Sequence, residues 1–253
     1  MIKKVNYGYP LLSILYRYLL GLIIIFFLIL LIFLNFYFII LLFLGIGVII
    51  LYSYFGLICF KINFNKKRME VLEKMITLSS LKGDEKVLDL GSGSGICTIG
   101  FAKKIQTGKV FGIDKYTIKK GNFKERIKKF LKINFIINSI KDAKINAKIE
   151  NVENKCEFIE SDLTEPFKFP DEFFHLVISS QFLYCLSEKD RLNTVKEINR
   201  VLKKNGKIIF FESSYFKSWN INIVKKFFKK LGYKIDITPY NKFKKSCILY
   251  GEK

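Results

Sequence analysis

The sequence contains few of the residues that disulfide frameworks, zinc sites and histidine-based active sites require. Its 253 residues include five cysteines, an odd number with no C-x-x-C pair, and a single histidine, His175. A disulfide framework and a zinc site are therefore not indicated, and a histidine metal site or a Ser-His-Asp relay lacks the necessary side chains. We expect reduced thiols and no bound metal. Half of the residues are hydrophobic, which excludes an intrinsically disordered chain.

Charged residues are absent from a long stretch near the start of the chain, between Tyr18 and Phe60. As a helix this stretch would be roughly 65 Å long, about twice the hydrocarbon thickness of a bilayer, so two crossings are predicted. We place an N-terminal transmembrane hairpin at residues 1–61, with helices at about 16–34 and 36–60. Basic residues flank the hairpin on both sides, so the positive-inside rule predicts a multi-pass cell-membrane protein with both termini and the remaining domain in the cytoplasm.

The net charge is strongly positive, +21 at pH 7 from 43 basic and 22 acidic residues. Only five of the basic residues are arginine and alanine is rare, which is typical of an AT-rich coding sequence and weakens an argument for nucleic-acid binding. A basic domain close to a bilayer would be attracted to anionic headgroups. We therefore expect the membrane surface as a partner and consider nucleic acid disfavoured, while the sequence does not indicate an oligomeric state.

After residue 66 the sequence alternates between helical and strand patterns, which predicts an α/β fold with a doubly wound, mostly parallel sheet. The last two strands have no helix between them, so one antiparallel strand is expected in the edge region of a seven-stranded sheet. Ser187 and Asp190 form a capping pattern for a helix that Gly206 would end. The expected strands are 86–90, 109–114, 156–160, 174–179, 207–212, 233–238 and 246–251, and the expected helices include 66–78, 96–105 and 219–231.

A glycine-rich turn follows the first predicted strand, in the sequence Val87-Leu-Asp89-Leu-Gly91-Ser-Gly93-Ser-Gly95. Glycines at such a position let the backbone turn sharply and come close to a ligand. A dinucleotide fingerprint would need its third glycine at position 96, which is isoleucine, so a nicotinamide-dependent dehydrogenase is disfavoured. Asp89 stands before the glycines, where its carboxylate could meet a ligand ammonium group.

With these residues the chain resembles the class I S-adenosylmethionine-dependent methyltransferases. The family's acidic residue and G-x-G-x-G motif are matched by Asp89 and the three glycines, and the resemblance implies a Rossmann-like domain at 62–253 with S-adenosyl-L-methionine as cofactor. It implies that Asp114, at the end of the second strand, meets the ribose hydroxyls and that Asp162, after the third strand, meets the adenine amino group. Further candidate cofactor contacts are Ser92, Lys115, Ser161, Leu163 and Ser179.

The loop after the fourth strand borders the acceptor pocket in the resembled family, which makes Ser180, Gln181 and Tyr184 candidate substrate contacts. No catalytic residue is identified, although Tyr184 and Asp190 are candidates for removing a proton. His175 lies at the start of that strand, at the end opposite the ligand side of such sheets, so a structural role is predicted. The family's N/D-P-P-Y/F motif is missing, which argues against nucleobase amines and glutamine side chains as acceptors.

The predicted anchor suggests the acceptor class. It would keep the active site near a bilayer, so we expect a membrane-anchored methyltransferase acting on a small, lipid-like or membrane-partitioned acceptor. The 115–150 insert contains a basic amphipathic helix around 123–132, which could be a lid over the cofactor or a membrane-contact helix. The alternative function is a membrane-tethered, non-catalytic domain of the same fold that acts as a sensor or scaffold.

Overall fold

The computed structural model describes the backbone of residues 11–31, 36–116, 139–213, 221–241 and 246–253. Among these residues the chain forms two compact units, one ending at Glu70 and the other beginning at Val71. The predicted domain boundary between residues 61 and 62 stays a prediction. The predicted hairpin turn and the amphipathic helix at 123–132 lie outside the described residues, apart from Phe36.

Two helices form the first unit and the start of the second: α1 (Leu11–Leu31) and α2 (Phe36–Ser79). Their first parts are rich in leucine, isoleucine and phenylalanine with exposed side chains, such as Phe26 and Phe55. Instead of a linker followed by a separate helix at 66–78, α2 continues without a break to Ser79.

The structure contradicts the predicted membrane location. Among the described residues, no helix combines the length and the apolar character needed to cross a membrane. The predicted hairpin anchor at 1–61 is therefore unsupported, and the prediction of a multi-pass cell-membrane protein with cytoplasmic termini is wrong.

The second unit is built on a seven-stranded sheet with strand order β3-β2-β1-β4-β5-β7-β6. The first five strands in this order pair in parallel, whereas β7 pairs antiparallel with β5 on one side and β6 on the other. This confirms the predicted seven-stranded mixed sheet. The strands are β1 (Lys86–Leu90), β2 (Lys109–Asp114), β3 (Cys156–Glu160), β4 (Phe174–Ser180), β5 (Leu202–Ser213), β6 (Lys234–Asn241) and β7 (Ser246–Glu252).

Helices cover both faces of the sheet, as the short apolar runs in its central strands require. They are α3 (Ile96–Ala102), α4 (Ile140–Ile149), α5 (Glu188–Val201) and α6 (Ile221–Lys230), with a 3-10 turn at Leu183–Cys185. Because side chains alternate along a strand, Val87 joins one apolar cluster with the end of α2 and with α3, while Leu88 and Leu90 join the cluster of α5 and α6. Both clusters reach β4, so the central strands are buried from both sides.

Several boundaries differ from the sequence-based expectation, and two helices end clearly earlier than predicted. Helix α5 ends at Val201 rather than at Gly206, because Leu202 already pairs with Phe174 as the first residue of β5. Helix α3 ends at Ala102, three residues before the predicted end. The start of α5 is as predicted, since Ser187 caps it by accepting the Asp190 N–H at 3.2 Å.

Candidate functional site

The glycine turn lies at the carboxyl end of β1, in the centre of the sheet. Gly91, Gly93 and Gly95 have φ values of 73°, 53° and 89°, which lie in the left-handed region that glycine adopts without a Cβ clash. The Gly91 N–H donates to the carbonyl of Ile113 at 2.9 Å, so the turn is held against the end of β2. A Cβ at Gly91 would lie only 2.5 Å from Cγ of Phe182. The turn therefore depends on glycine at this position.

Asp89 lies under the turn and is 1% exposed. Its Oδ2 accepts a hydrogen bond of 2.6 Å from the Thr98 hydroxyl of α3. Burial raises the pKa of the Asp89 carboxyl to about 7, and the hydrogen bond from Thr98 opposes that shift. A positively charged ligand group would stabilise the ionised form, as the predicted ammonium contact requires. The sequence did not identify Thr98, which has no motif of its own.

Asp114 joins the end of β2 to the glycine turn. Its Oδ2 accepts the Gly93 N–H and its Oδ1 accepts the Tyr116 N–H, both at 3.0 Å. Tyr116 also forms a 2.7 Å hydrogen bond between its hydroxyl and that of Ser92. Burial raises the pKa of the Tyr116 phenol, which therefore stays protonated. The structure thus brings Asp114, Ser92 and Gly93 together, and Tyr116 is an addition that sequence reasoning missed.

Asp162 lies beyond β3 and already has several partners. Its Oδ1 accepts the N–H of Thr164 at 3.1 Å and the Thr164 hydroxyl at 2.8 Å, while the Lys115 ammonium pairs with its Oδ2. These bonds, with that from Lys115 the largest, lower the pKa of the Asp162 carboxyl to about 2. Ser161 donates its N–H to the Asp114 carbonyl at 3.0 Å, whereas Leu163 is buried in the core. The predicted adenine contact by Asp162 stays a prediction.

The candidate substrate residues follow β4, next to β1. Ser179 is fully buried, and its hydroxyl donates to the Leu90 carbonyl at 3.2 Å, which ties β4 to the start of the glycine turn. Ser180 ends β4, and the exposed Gln181 adopts a φ of 57°. Burial raises the pKa of the half-buried Tyr184 phenol, so it is a poor base near neutral pH.

Asp190, the other candidate base, is engaged at the start of α5. The Ser187 hydroxyl donates to its carboxylate at 2.6 Å. This bond belongs to the cap of α5 described above, so the Asp190 carboxylate has a local partner at the start of that helix. Asp190 lies about six residues after Tyr184 along the chain. Its hydrogen bonds among the described residues go to Ser187 and Thr194, both outside the glycine turn.

Glu212 at the end of β5 is a buried carboxyl group that sequence reasoning missed. Its Oε1 accepts the N–H groups of Phe182 at 3.2 Å and Leu183 at 2.9 Å. Its Oε2 has no hydrogen-bond partner in the described part of the chain. Burial raises the pKa of Glu212 to about 8, against the backbone hydrogen bonds and the charge of Arg191. One signal was available, since an acidic residue directly follows the apolar run Ile208-Ile-Phe-Phe211.

The buried carboxyl of Glu212 predicts a stability that depends on pH. Below the ordinary pKa of 4.5, Glu212 is protonated in both the folded and the unfolded chain. Between pH 4.5 and about 8 the unfolded chain releases this proton while the folded chain keeps it. The free energy of unfolding therefore falls as the pH rises through this range. We expect Glu212→Gln to reduce the loss of unfolding free energy between pH 5 and pH 8, measured by urea denaturation. Exposed Glu165→Gln is the control and should follow the wild type; equal slopes for all three proteins would contradict the prediction.

His175 lies at the amino end of β4, away from the glycine turn. Its Nδ1 accepts the Lys86 N–H at 3.0 Å and its Nε2 is 2.9 Å from the Lys203 ammonium. Burial and the neighbouring Lys203 lower the pKa of its imidazole. These contacts fit the predicted structural role. Among the residues that the structure describes, no cluster of three histidine, cysteine or acidic side chains could hold a metal ion.

The turn has the features that a nucleoside cofactor with an ammonium group requires. Asp89 lies under the turn and Asp114 accepts the Gly93 N–H, so two carboxylates that can accept hydrogen bonds from ammonium and hydroxyl groups lie at the turn. Ser94, inside the turn, is 3% exposed and its hydroxyl has no partner among the described residues. An unpartnered buried hydroxyl is costly, and a ligand atom could satisfy it. The residues present therefore fit S-adenosylmethionine.

Comparison with known sequences finds similarity to methyltransferases over about half of the chain. A family model described as "Methyltransferase domain" matches residues 88–210, which run from β1 into β5. An uncharacterized methyltransferase of Schizosaccharomyces pombe is 28% identical over 129 residues, or 51% of this chain. The match covers 40% of that relative, so this chain corresponds to less than half of its length.

Solved structures share the fold over about three quarters of the chain. A SAM-dependent methyltransferase from Aquifex aeolicus aligns with a TM-score of 0.54 and 18% identity, covering 72% of this chain and 88% of the other. The YcgJ protein of Bacillus subtilis gives 0.52 and 15%, covering 73% and 98%. The cyclase SpnF gives 0.53 and 15%, covering 73% and 80%. The predicted enzyme class and cofactor agree with these comparisons: residues 88–210 match the methyltransferase-domain model, and the fold is that of S-adenosylmethionine-dependent methyltransferases.

Proposed function

We propose that this protein transfers a methyl group from S-adenosylmethionine to a small-molecule acceptor. The observation that carries the proposal is the joined turn in which Asp114 accepts the Gly93 N–H beside the buried Asp89. That arrangement offers one carboxylate for the ribose hydroxyls and one for the ammonium group. Asp162 would take the adenine amino group, with Lys115 and Thr164 fixing its side chain.

Positioning is the main contribution that the residues make to such a transfer. When bound, S-adenosylmethionine supplies a methyl group on a positively charged sulfur, which needs no protonation of its leaving group. The protein must align the acceptor with that methyl group and exclude water, and correct alignment alone can supply a large part of the acceleration. Ser180, Gln181 and Tyr184, which follow β4 next to the turn, are the proposed acceptor contacts. Half-buried Phe182 and Tyr184 would accommodate an acceptor with an apolar part.

An acceptor hydroxyl or carbon acid would also have to lose a proton. Of the two candidates from the sequence, the Asp190 carboxylate caps α5 and the Tyr184 phenol has a raised pKa. Glu212 is the better placed carboxyl group, because it lies at the carboxyl end of β5 and one of its oxygens lacks a partner among the described residues. We assign it the role of base where the acceptor requires one.

The acceptor is proposed as a small molecule without a commitment to lipids. The lipid-like acceptor expected from the sequence depended on the hairpin anchor. Because the anchor is unsupported, no observation favours a lipid over another small molecule. A lipid acceptor is therefore one of the possibilities that the labelling experiment below distinguishes.

Calorimetric titration of the full-length protein with S-adenosylmethionine and S-adenosylhomocysteine is the first test. Binding of both is expected, and failure of both to bind would remove the enzyme proposal. The second test supplies methyl-labelled S-adenosylmethionine with either a lipid extract or a water-soluble metabolite extract. Label in either small-molecule fraction supports the proposal and identifies the acceptor class. Binding without transfer to either fraction would favour the alternative of a non-catalytic domain that senses the cofactor.

A further inference from the structure

Phe182, at the place where the sequence lacks the N/D-P-P-Y/F motif, lies directly on the glycine turn. Its Cγ and Cδ2 atoms are 2.5 and 2.6 Å from the point that a Cβ of Gly91 would occupy. The side chain is half-buried, so part of it remains open to a ligand. The ring therefore forms one wall of the proposed cofactor site at the β4 side of the turn.

Two buried side chains, Glu212 and Arg191, fix the backbone that carries this ring. Glu212, which is 0% exposed, accepts the N–H groups of Phe182 and Leu183. Arg191, which is 4% exposed, donates from Nε to the Leu183 carbonyl at 3.1 Å and from an Nη atom to the Leu186 carbonyl at 2.9 Å. Both ends of the 3-10 turn after β4 are thus held by buried side chains, and the bonds from the Arg191 guanidinium are charge-assisted and therefore stronger than neutral ones. The place of the Phe182 ring is set by β5 and α5.

The strand order indicates which part of the cofactor would meet the ring. The strands β3, β2, β1 and β4 are neighbours in this order. Asp162 follows β3, Asp114 ends β2, the glycine turn follows β1 and the Phe182 segment follows β4. With adenine at Asp162 and ribose at Asp114, as the proposed function has it, the sulfur end of the molecule extends over β1 toward β4. The ring of Phe182 lies on that side.

We propose that Phe182 is a specificity-determining residue that makes the site prefer the positively charged sulfonium of S-adenosylmethionine over the neutral thioether of the product. The face of an aromatic ring attracts a cation through its quadrupole and offers no such attraction to a neutral sulfur. Such a preference would favour release of the product after each transfer. The inference rests on the proposed function, because it assumes that the cofactor binds at this turn.

The test is calorimetric titration of full-length wild type and Phe182→Leu with S-adenosylmethionine and with S-adenosylhomocysteine. Leucine keeps an apolar side chain without the ring. We expect the variant to bind S-adenosylmethionine about 3- to 30-fold more weakly and S-adenosylhomocysteine within about twofold of the wild type. Phe182→Tyr retains the ring and should retain the wild-type ratio of affinities.

Equal losses for both ligands in Phe182→Leu, or no loss for either, would overturn the inference while leaving the proposed function intact. Failure of the wild type to bind either ligand would instead defeat the proposed function. Should Phe182→Leu not fold, fluorinated phenylalanine at position 182 keeps the shape of the side chain and lowers the negative potential of the ring face. The preference for S-adenosylmethionine should then fall with each added fluorine, and a constant preference would contradict the proposal.

Discussion

Asp114→Ala is expected to weaken the binding of S-adenosylhomocysteine by about 5- to 150-fold, the equivalent of about 1–3 kcal/mol. Two losses combine in this variant. The proposed hydrogen bonds to the ribose hydroxyls disappear, and the Gly93 and Tyr116 N–H groups lose the carboxylate that orients them. The measurement is calorimetric titration of the full-length protein, which needs no knowledge of the acceptor.

Asp84→Ala is the matched control for this variant. Asp84 is exposed in the loop that precedes β1, at the end of the sheet opposite the glycine turn. Removing its carboxylate changes the net charge by the same amount but should leave the affinity unaltered. Asp114→Asn separates the two losses, because its amide oxygen can still accept one backbone N–H while the negative charge is gone. Wild-type affinity in Asp114→Ala would mean that another carboxylate meets the ribose.

Gly91→Ala is expected to lower the free energy of unfolding by about 2–4 kcal/mol and to weaken S-adenosylhomocysteine binding at least about tenfold. An alanine here must adopt a φ near 73°, which costs about 1–2 kcal/mol. Its Cβ would also approach Phe182 to 2.5 Å, so the ring or the turn must move. Since both belong to the proposed cofactor site, stability and binding should fall together, as measured by urea denaturation and calorimetry.

Gly232→Ala isolates the backbone cost from the clash. Gly232 has a φ of 90°, and a Cβ there would have no atom within 4 Å. This variant should lose only about 1–2 kcal/mol of stability and keep the wild-type affinity for S-adenosylhomocysteine. If Gly91→Ala were no less stable than Gly232→Ala and bound the ligand normally, the close packing of Phe182 on the turn would not matter for function.

The parts of the fold and site that could be predicted are those that depend on short, continuous stretches of sequence. The run Val87-Leu-Asp89-Leu followed by alternate glycines specifies a buried strand and a tight turn, since both depend on neighbouring residues. Asp114 could be located because it ends the next parallel strand, and parallel strands end at a common edge. The antiparallel β7 followed from the missing helix between the last two strands.

Contacts between distant segments could not be predicted in the same way. Phe182 meets Gly91 and Glu212 holds the Phe182 amide only because β4 lies beside both β1 and β5. The end of α5 was misplaced because Gly206 is a plausible stop signal, whereas pairing between Leu202 and Phe174 decides the boundary. The absence of charge between Tyr18 and Phe60 was interpreted as a membrane hairpin from composition alone.

The insertion of β7 between β5 and β6 determines the order in which this sheet can be completed. The described pairings give β6 a single neighbour, β7, although β6 comes first along the chain. During synthesis β6 therefore has no strand to pair with in the sheet until β7 has emerged and docked on β5. An isolated hairpin of β6 and β7 would be marginal in water, so docking of β7 on β5 becomes the late step that stabilises both strands.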